Sequence, residues 1–252
     1  MAGPDEYPAV STKVENLEDA MARLKEIYRD DYLADSVLGV EGNLPDLIAF
    51  YDNRKLYEQL HFSEWFALYD YGKNGYVRIN KELLEPPVNA EVRGSINHLE
   101  LSVRHLADHQ ASIFSEISDM LPFYRGEVRA FWDINRLREG DVYASPAFFS
   151  TTEEMDVAES FISSEMDALG ADKVNVIYTV KDISPYSGAS LSDVMSDGET
   201  EFLFLPNVRF AIEKIEYRAE EKLFEIDLVQ IPISRQEFSV RLTDLVREGA
   251  LL

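Results

Sequence analysis

Three short segments of the chain set polar groups beside apolar, strand-forming residues, and each is a candidate for chemistry. The first is Phe123-Tyr124-Arg125-Gly126-Glu127, where an arginine ends an apolar pair and a glycine follows. The second is Phe148-Phe149-Ser150-Thr151-Thr152, with three hydroxyls after two aromatics. The third is Gly198-Glu199-Thr200-Glu201-Phe202-Leu203-Phe204-Leu205-Pro206. Side chains alternate along a strand, so Glu199 and Glu201 are expected on one side, where two carboxylates repel each other. The planar fork of an arginine matches a pyrophosphate. A hydroxyl can hold a carboxylate or a ribose. One fixed carboxylate can stabilise an oxocarbenium ion while a second orients or deprotonates the incoming nucleophile. These are the parts needed to break an N-glycosidic bond in a dinucleotide. NAD fits, because its nicotinamide is a cationic leaving group on such a ribose.

The elements that must position these groups change character along the chain. Residues 1 to about 15 carry Pro4, Pro8 and no apolar period, and are expected to form a mobile arm. From Leu17 the spacing of Met21, Leu24 and Ile27 or Tyr28 is helical. A second helix is expected over Pro45–Leu60 with Asn43 near its start, and a third over Ser63–Asp70 with Ser63 as N-cap. Gly72 and Gly75 should break the chain, Tyr76–Leu84 resumes, and Pro86-Pro87 stops it. The clearest helix is expected from an N-cap at Ser95 to about Ser118, with Ile96, Leu99, Val103, Leu106, Gln110, Ile113 and Ile117 forming a stripe interrupted once. Beyond Met120 short apolar runs predict strands at 123–124, 147–150, 174–180, 201–205, 208–215 and 223–231, with helical pieces near 134–138 and 155–163. Helices in front and strands behind imply an α+β fold.

Composition narrows the function classes. With 46% hydrophobic residues in 252, the chain can bury a sizeable core. It has no cysteine, which excludes disulfides, thiolate catalysis and cysteine-ligated metal. No run approaches the roughly 18 apolar residues of a membrane span, and the first residues lack the basic and apolar regions of a cleaved signal peptide. Asp and Glu number 47 against 24 Lys and Arg, a formal charge of −23. That field repels nucleic acid and anionic membranes and favours a basic protein face, although plain solubility explains it equally well. His105 and His109 stand at i, i+4, but the segment lacks the glutamate of the zinc-protease motif and has no evident third ligand, so no metal is expected.

The three segments, in this order, resemble the bacterial mono-ADP-ribosyltransferase toxins and effectors of the Arg–Ser–Glu class, Glu-x-Glu subgroup. That family has a strand-end arginine, an aromatic-Ser-Thr-Ser strand, and a Glu-x-Glu strand running on as Leu-Phe-x-Pro. Tyr71-Gly72-Lys73-Asn74-Gly75-Tyr76-Val77-Arg78-Ile79-Asn80 is similar to a segment the family carries before its catalytic strands, and Asp182-Ile183-Ser184-Pro185-Tyr186-Ser187 is similar to the lead-in to its catalytic loop. The resemblance covers roughly residues 62–215. It implies an ADP-ribosyltransferase-like mixed two-sheet β core with a helical N-terminal part packed on it. Residues 16–252 would then be a single domain with a helical extension over about 16–60.

It also implies roles. Arg125 would bind the phosphates of NAD and hold it bent, with the backbone of Gly126 against the nicotinamide amide. Ser150 would hydrogen-bond Glu201, Glu201 would stabilise the oxocarbenium ion, and Glu199 would prepare the acceptor. Thr151 and Thr152 would border the cofactor, the latter departing from the family's serine, and Phe149 and Phe161 would pack near the nicotinamide. The loop from Ser187 to Gly198, with Gly188, Leu191 and an exposed Met195, would recognise the target protein. Glu-x-Glu usually accompanies arginine acceptors, with threonine left open. The implied partner is a host regulatory protein such as ubiquitin, a small GTPase or actin. The chain would act as a monomeric secreted effector in the host cytoplasm. Two other readings remain: an NAD glycohydrolase with water as acceptor, and a relative that binds without turnover. Taken singly, Arg125 could be an ion-pair partner, Ser150 a turn serine and the two glutamates a solvated strand face.

Overall fold

A computed structural model describes residues 13–14, 16–41, 43–114, 117, 122–163, 170, 172–195 and 200–245. Glu199, Gly198 and most of the expected N-terminal arm lie outside the described residues. The chain forms two compact units, one of residues 1–109 with 239–252 and one of residues 110–238.

The first unit is built of helices α1 (Leu17–Ile27), α2 (Asp30–Asp35), α3 (Val37–Glu41), α4 (Leu44–Asn53), α5 (Phe62–Asp70), α6 (Tyr76–Leu84) and α7 (Ala90–Gln110). The Asn43 side chain accepts from the Asp46 N–H and caps α4 as expected. Helix α5 is capped two residues earlier than expected, at His61 rather than Ser63, because Glu64 reaches back to the His61 N–H at 2.9 Å. Gly72 and Gly75 do not break the chain. A π-helical turn, Tyr71–Gly75, joins α5 to α6. A Cβ at position 75 would lie 2.7 Å from the Asp70 carboxylate, so glycine permits this turn to close on a buried acid. That carboxylate accepts from the Val37 N–H (2.7 Å), Arg78 (2.9 Å) and the Tyr32 hydroxyl (3.1 Å). Helix α7 also starts upstream of its expected cap. The Asn89 carbonyl accepts from Val92 and Arg93, and Ser95 is buried inside the helix. Ile96, Leu99, Val103 and Leu106 form its buried stripe.

Among the described residues the second unit holds eight strands: β1 (Phe123–Ala130), β2 (Val142–Ala144), β3 (Phe149–Thr152), β4 (Lys173–Lys181), β5 (Gly188–Ser190), β6 (Glu201–Phe204), β7 (Arg209–Arg218) and β8 (Leu223–Gln230). Short helices α8 (Phe131–Asn135) and α9 (Met155–Glu159) lie between them, and α10 (Arg235–Leu245) follows. The described strands form one hydrogen-bonded sheet rather than two, in the order β2-β7-β8-β4-β1-β3-β6-β5. It is mixed, since β4 and β8 run parallel and the other neighbours antiparallel. The join between its long and short halves is slight: β1 and β3 share the single pair Tyr124↔Thr152. Its core is aromatic. Phe123, Phe148, Phe149, Tyr178, Phe202, Phe204 and Phe210 are all 2% exposed or less. Burying each such ring contributes about 1.5–3 kcal/mol, which offsets much of the cost of ordering strands this short.

Candidate active site

The site is assembled where β1 and β3 part. Pairing places Tyr124 opposite Thr152, and Thr152 opposite Glu201. Directly paired residues share a face, so these three side chains form one row across three strands, with Ser150 beside Thr152. Arg125, the next residue of β1, leaves on the other side of the pleat. Its guanidinium lies 4.8 Å from the centre of the Phe149 ring, and its Nη1 donates to the Ser150 carbonyl at 3.0 Å. The first two motifs are thus tied together through the Ser150 carbonyl. Glu201 opens β6 and is part-buried.

Arg125 is held from a second direction by a residue that sequence reasoning passed over. Glu127 accepts from Arg125 Nε (3.3 Å) and Nη2 (3.1 Å), and its other oxygen accepts from Arg129 (3.4 Å). The alternation Arg-x-Glu-x-Arg along a strand was the available signal: at period two, all three charges share a face. Burial, and then the Glu127 charge, push the hydroxyls of Tyr178 and Tyr143 above the usual phenol range. A phosphate arriving at Arg125 would therefore compete with Glu127 for the fork.

Gly126 belongs to the row of Tyr124 and is covered by α9. A Cβ there would lie 1.9 Å from the Ala158 carbonyl oxygen, so glycine lets that helix sit directly on β1. Thr152 is committed locally, its hydroxyl accepting from the Glu154 N–H at 3.2 Å at the entry to α9. Glu153, beside it, has its carboxyl pushed up by burial and by the neighbouring Glu154 charge. Thr151 is buried and donates to the Phe202 carbonyl at 2.9 Å, strapping β3 to β6. Phe149 is part of the aromatic core, whereas Phe161 is 61% exposed just beyond α9.

The segment from Ser187 differs from the exposed loop expected. Ser187, Gly188, Leu191 and Met195 are buried, and Met195 is only 2% exposed. The reason is that Gly188–Ser190 form β5 and pair with β6, while Leu191 donates to the Glu201 carbonyl at 2.8 Å and accepts from the Val194 and Met195 N–H groups. Among its described residues Asp193 is exposed, and Ser190 and Ser192 are half-buried. In the first unit His105 is bonded through Nδ1 to Glu64, and His109 is exposed at the end of α7. Burial pushes the Glu64 carboxyl up, but the His105 contact and the His61 N–H outweigh it and leave the group below the usual carboxylate range.

No protein-family model matches the chain. Over 116 residues it is 33% identical to Vis of Vibrio splendidus (strain 12B01), named as an NAD(+)–arginine ADP-ribosyltransferase. That match covers 44% of this chain and 45% of Vis, so it spans less than half of its curated relative. Likeness in structure extends further. The crystal structure of Vis in complex with agmatine aligns with a TM-score of 0.57 at 21% identity, covering 91% of this chain and 92% of the other. The ADP-ribosyltransferase HopU1 of Pseudomonas syringae pv. Tomato DC3000 aligns at 0.54 and 19% identity, covering 86% and 98%. The type III effector XopAI of Xanthomonas axonopodis pv. citri aligns at 0.55 and 16% identity, covering 86% and 84%. The chain's sequence relative and structural neighbours are bacterial ADP-ribosyltransferase toxins and effectors, and it has their fold.

Proposed function

We propose that this chain is an NAD-dependent mono-ADP-ribosyltransferase. The observation that supports the reading is that Arg125, Ser150 and Glu201 stand on three adjoining strands, with the arginine bonded to the serine's carbonyl across the parting of β1 and β3 and Glu201 paired with Thr152, two residues from Ser150. Since the Arg125 side chain leaves by the other face, NAD has to bend around that parting. Arg125 binds the NAD pyrophosphate, displacing part of its contact with Glu127. The bond between ribose C1′ and the nicotinamide nitrogen breaks, and nicotinamide leaves as a neutral molecule with the bonding pair. Glu201 stabilises the positive charge that develops on the ribose. Glu199 takes the proton of the acceptor as its nitrogen or oxygen bonds to C1′. Phe161, exposed beside α9, flanks the nicotinamide, and Ser192 and Asp193 face the target.

Arginine is the favoured acceptor. The name of Vis and its complex with agmatine, a guanidino compound, support that choice. The target is a host regulatory protein with a basic face, such as ubiquitin, a small GTPase or actin, and the chain acts as a monomeric secreted effector in the host cytoplasm. The type III effector among its structural neighbours supports the delivery. The test is nicotinamide release from NAD, together with labelled NAD in a host lysate. Glu201→Ala should abolish both release and labelling while the far-UV spectrum stays that of the wild type. Glu199→Ala should lose labelling yet retain release. Wild-type labelling by Glu199→Ala would remove that residue from the mechanism, and release without labelling in the wild type would leave water as the acceptor.

A further inference from the structure

We infer that Gln110 is a positioning residue for the strand that carries Glu201, acting as a one-residue extension of the sheet. The sheet ends at β5, a strand of three residues. Strands this short at an edge fray, because one side of their backbone has no ladder to hold it. Here the missing partner is a side chain. Gln110 Nε2 donates to the Ser190 carbonyl at 2.8 Å, and its Oε1 accepts from the Ser190 N–H at 2.9 Å. A neighbouring antiparallel strand would offer the same donor and acceptor to that residue. Gln110 is 6% exposed, so these bonds are shielded from water.

The clamp reaches the site in one further step. Ser190 pairs with Phe202 on β6, and the next residue, Leu191, donates to the Glu201 carbonyl at 2.8 Å. Holding Ser190 therefore holds the backbone of Glu201 from its outer side. Among the described residues of this unit Asn175 repeats the device, and Gln230 uses half of it. Asn175 exchanges two bonds with the backbone of Ser163, at 2.8 and 3.0 Å, and Gln230 accepts from the N–H and hydroxyl of Ser184. Buried carboxamides thus pin the segments after α9 and before β5 as well. In the sequence the mark of Gln110 is a polar residue on an otherwise apolar stripe.

This inference rests on the proposal that Glu201 acts on NAD. Gln110→Met keeps the length and removes both hydrogen bonds. It should lower kcat for nicotinamide release about tenfold, with the KM for NAD within about twofold because Arg125 lies on another strand. Gln110→Glu keeps an acceptor always and a donor only while protonated. Its rate relative to the wild type should rise as pH is lowered from about 8 to about 5. Amide exchange at Ser190 and Leu191 should quicken in Gln110→Met. A wild-type kcat in Gln110→Met, or a flat pH ratio in Gln110→Glu, would overturn the assignment and leave the transferase reading standing. Should the wild type release no nicotinamide, the transferase reading fails. Exchange at Ser190 and Leu191 then decides the clamp, and unchanged protection overturns it.

Discussion

Gly126→Ala is a sharp test of how the site is packed. The added methyl would sit 1.9 Å from the Ala158 carbonyl oxygen, 2.8 Å from the carbonyl carbon and 3.3 Å from Ile162 Cγ2. The neighbour that must yield is backbone, and Ala158 is only 1% exposed, so no flexible side chain can swing aside. Relief requires α9 to move outward by more than 1 Å, a distance on the order of a carbon–oxygen contact deficit. Overpacking against a fixed core costs typically about 1–3 kcal/mol, and a backbone clash belongs at the upper end, about 3 kcal/mol. For a chain of this size that corresponds to a fall in Tm of about 6–12 °C. The displaced helix would also pull on the Glu154 N–H that Thr152 caps. Nicotinamide release should fall more steeply than stability does. The assay is thermal unfolding followed by circular dichroism, with kcat and KM measured well below the transition. A Gly126→Ala variant whose Tm lies within a degree of the wild type would show that α9 does not rest on β1 as described.

Thr151→Val removes the buried strap to the Phe202 carbonyl and should cost about 1–2 kcal/mol, read as a lower urea midpoint with an unchanged slope; an unchanged midpoint would refute the strap. Glu64 supplies a pH dependence. Its folded carboxyl lies below the usual range, so its stabilisation is complete above the unfolded value of about 4.3 and is lost as pH falls through the lower folded value. The difference in unfolding free energy between wild type and Glu64→Gln should therefore shrink as the medium is acidified past about pH 4. A difference that grows with acid would reverse the sign of the argument.

Much of the proposed chemistry was legible because it is local. The order Arg125, Ser150, Glu201 and the apolar runs around them depend on neighbours in sequence, and the resulting strands pair as their hydrophobic alternation requires. Element ends were less legible. The helix start at Ser63 yielded to His61 because the bond that closes it comes from Glu64. The cap at Ser95 yielded to Asn89 because the Asn89 carbonyl accepts the first helical bonds, from Val92 and Arg93. The strand at Phe123-Tyr124 runs on to Ala130 because Arg125, Glu127 and Arg129 satisfy one another on one face. No apolar pattern announces such a row.

The amino-acid sequence by itself pointed to the class of fold and to the residues proposed to break a glycosidic bond. These follow from side-chain chemistry and from a period of two. The tertiary structure alone decided which strands adjoin, that a single pair joins β1 to β3, that Gly126 admits a helix and that Gln110 closes the sheet edge. Such contacts join positions tens of residues apart, and only the folded chain brings their backbones within hydrogen-bonding reach.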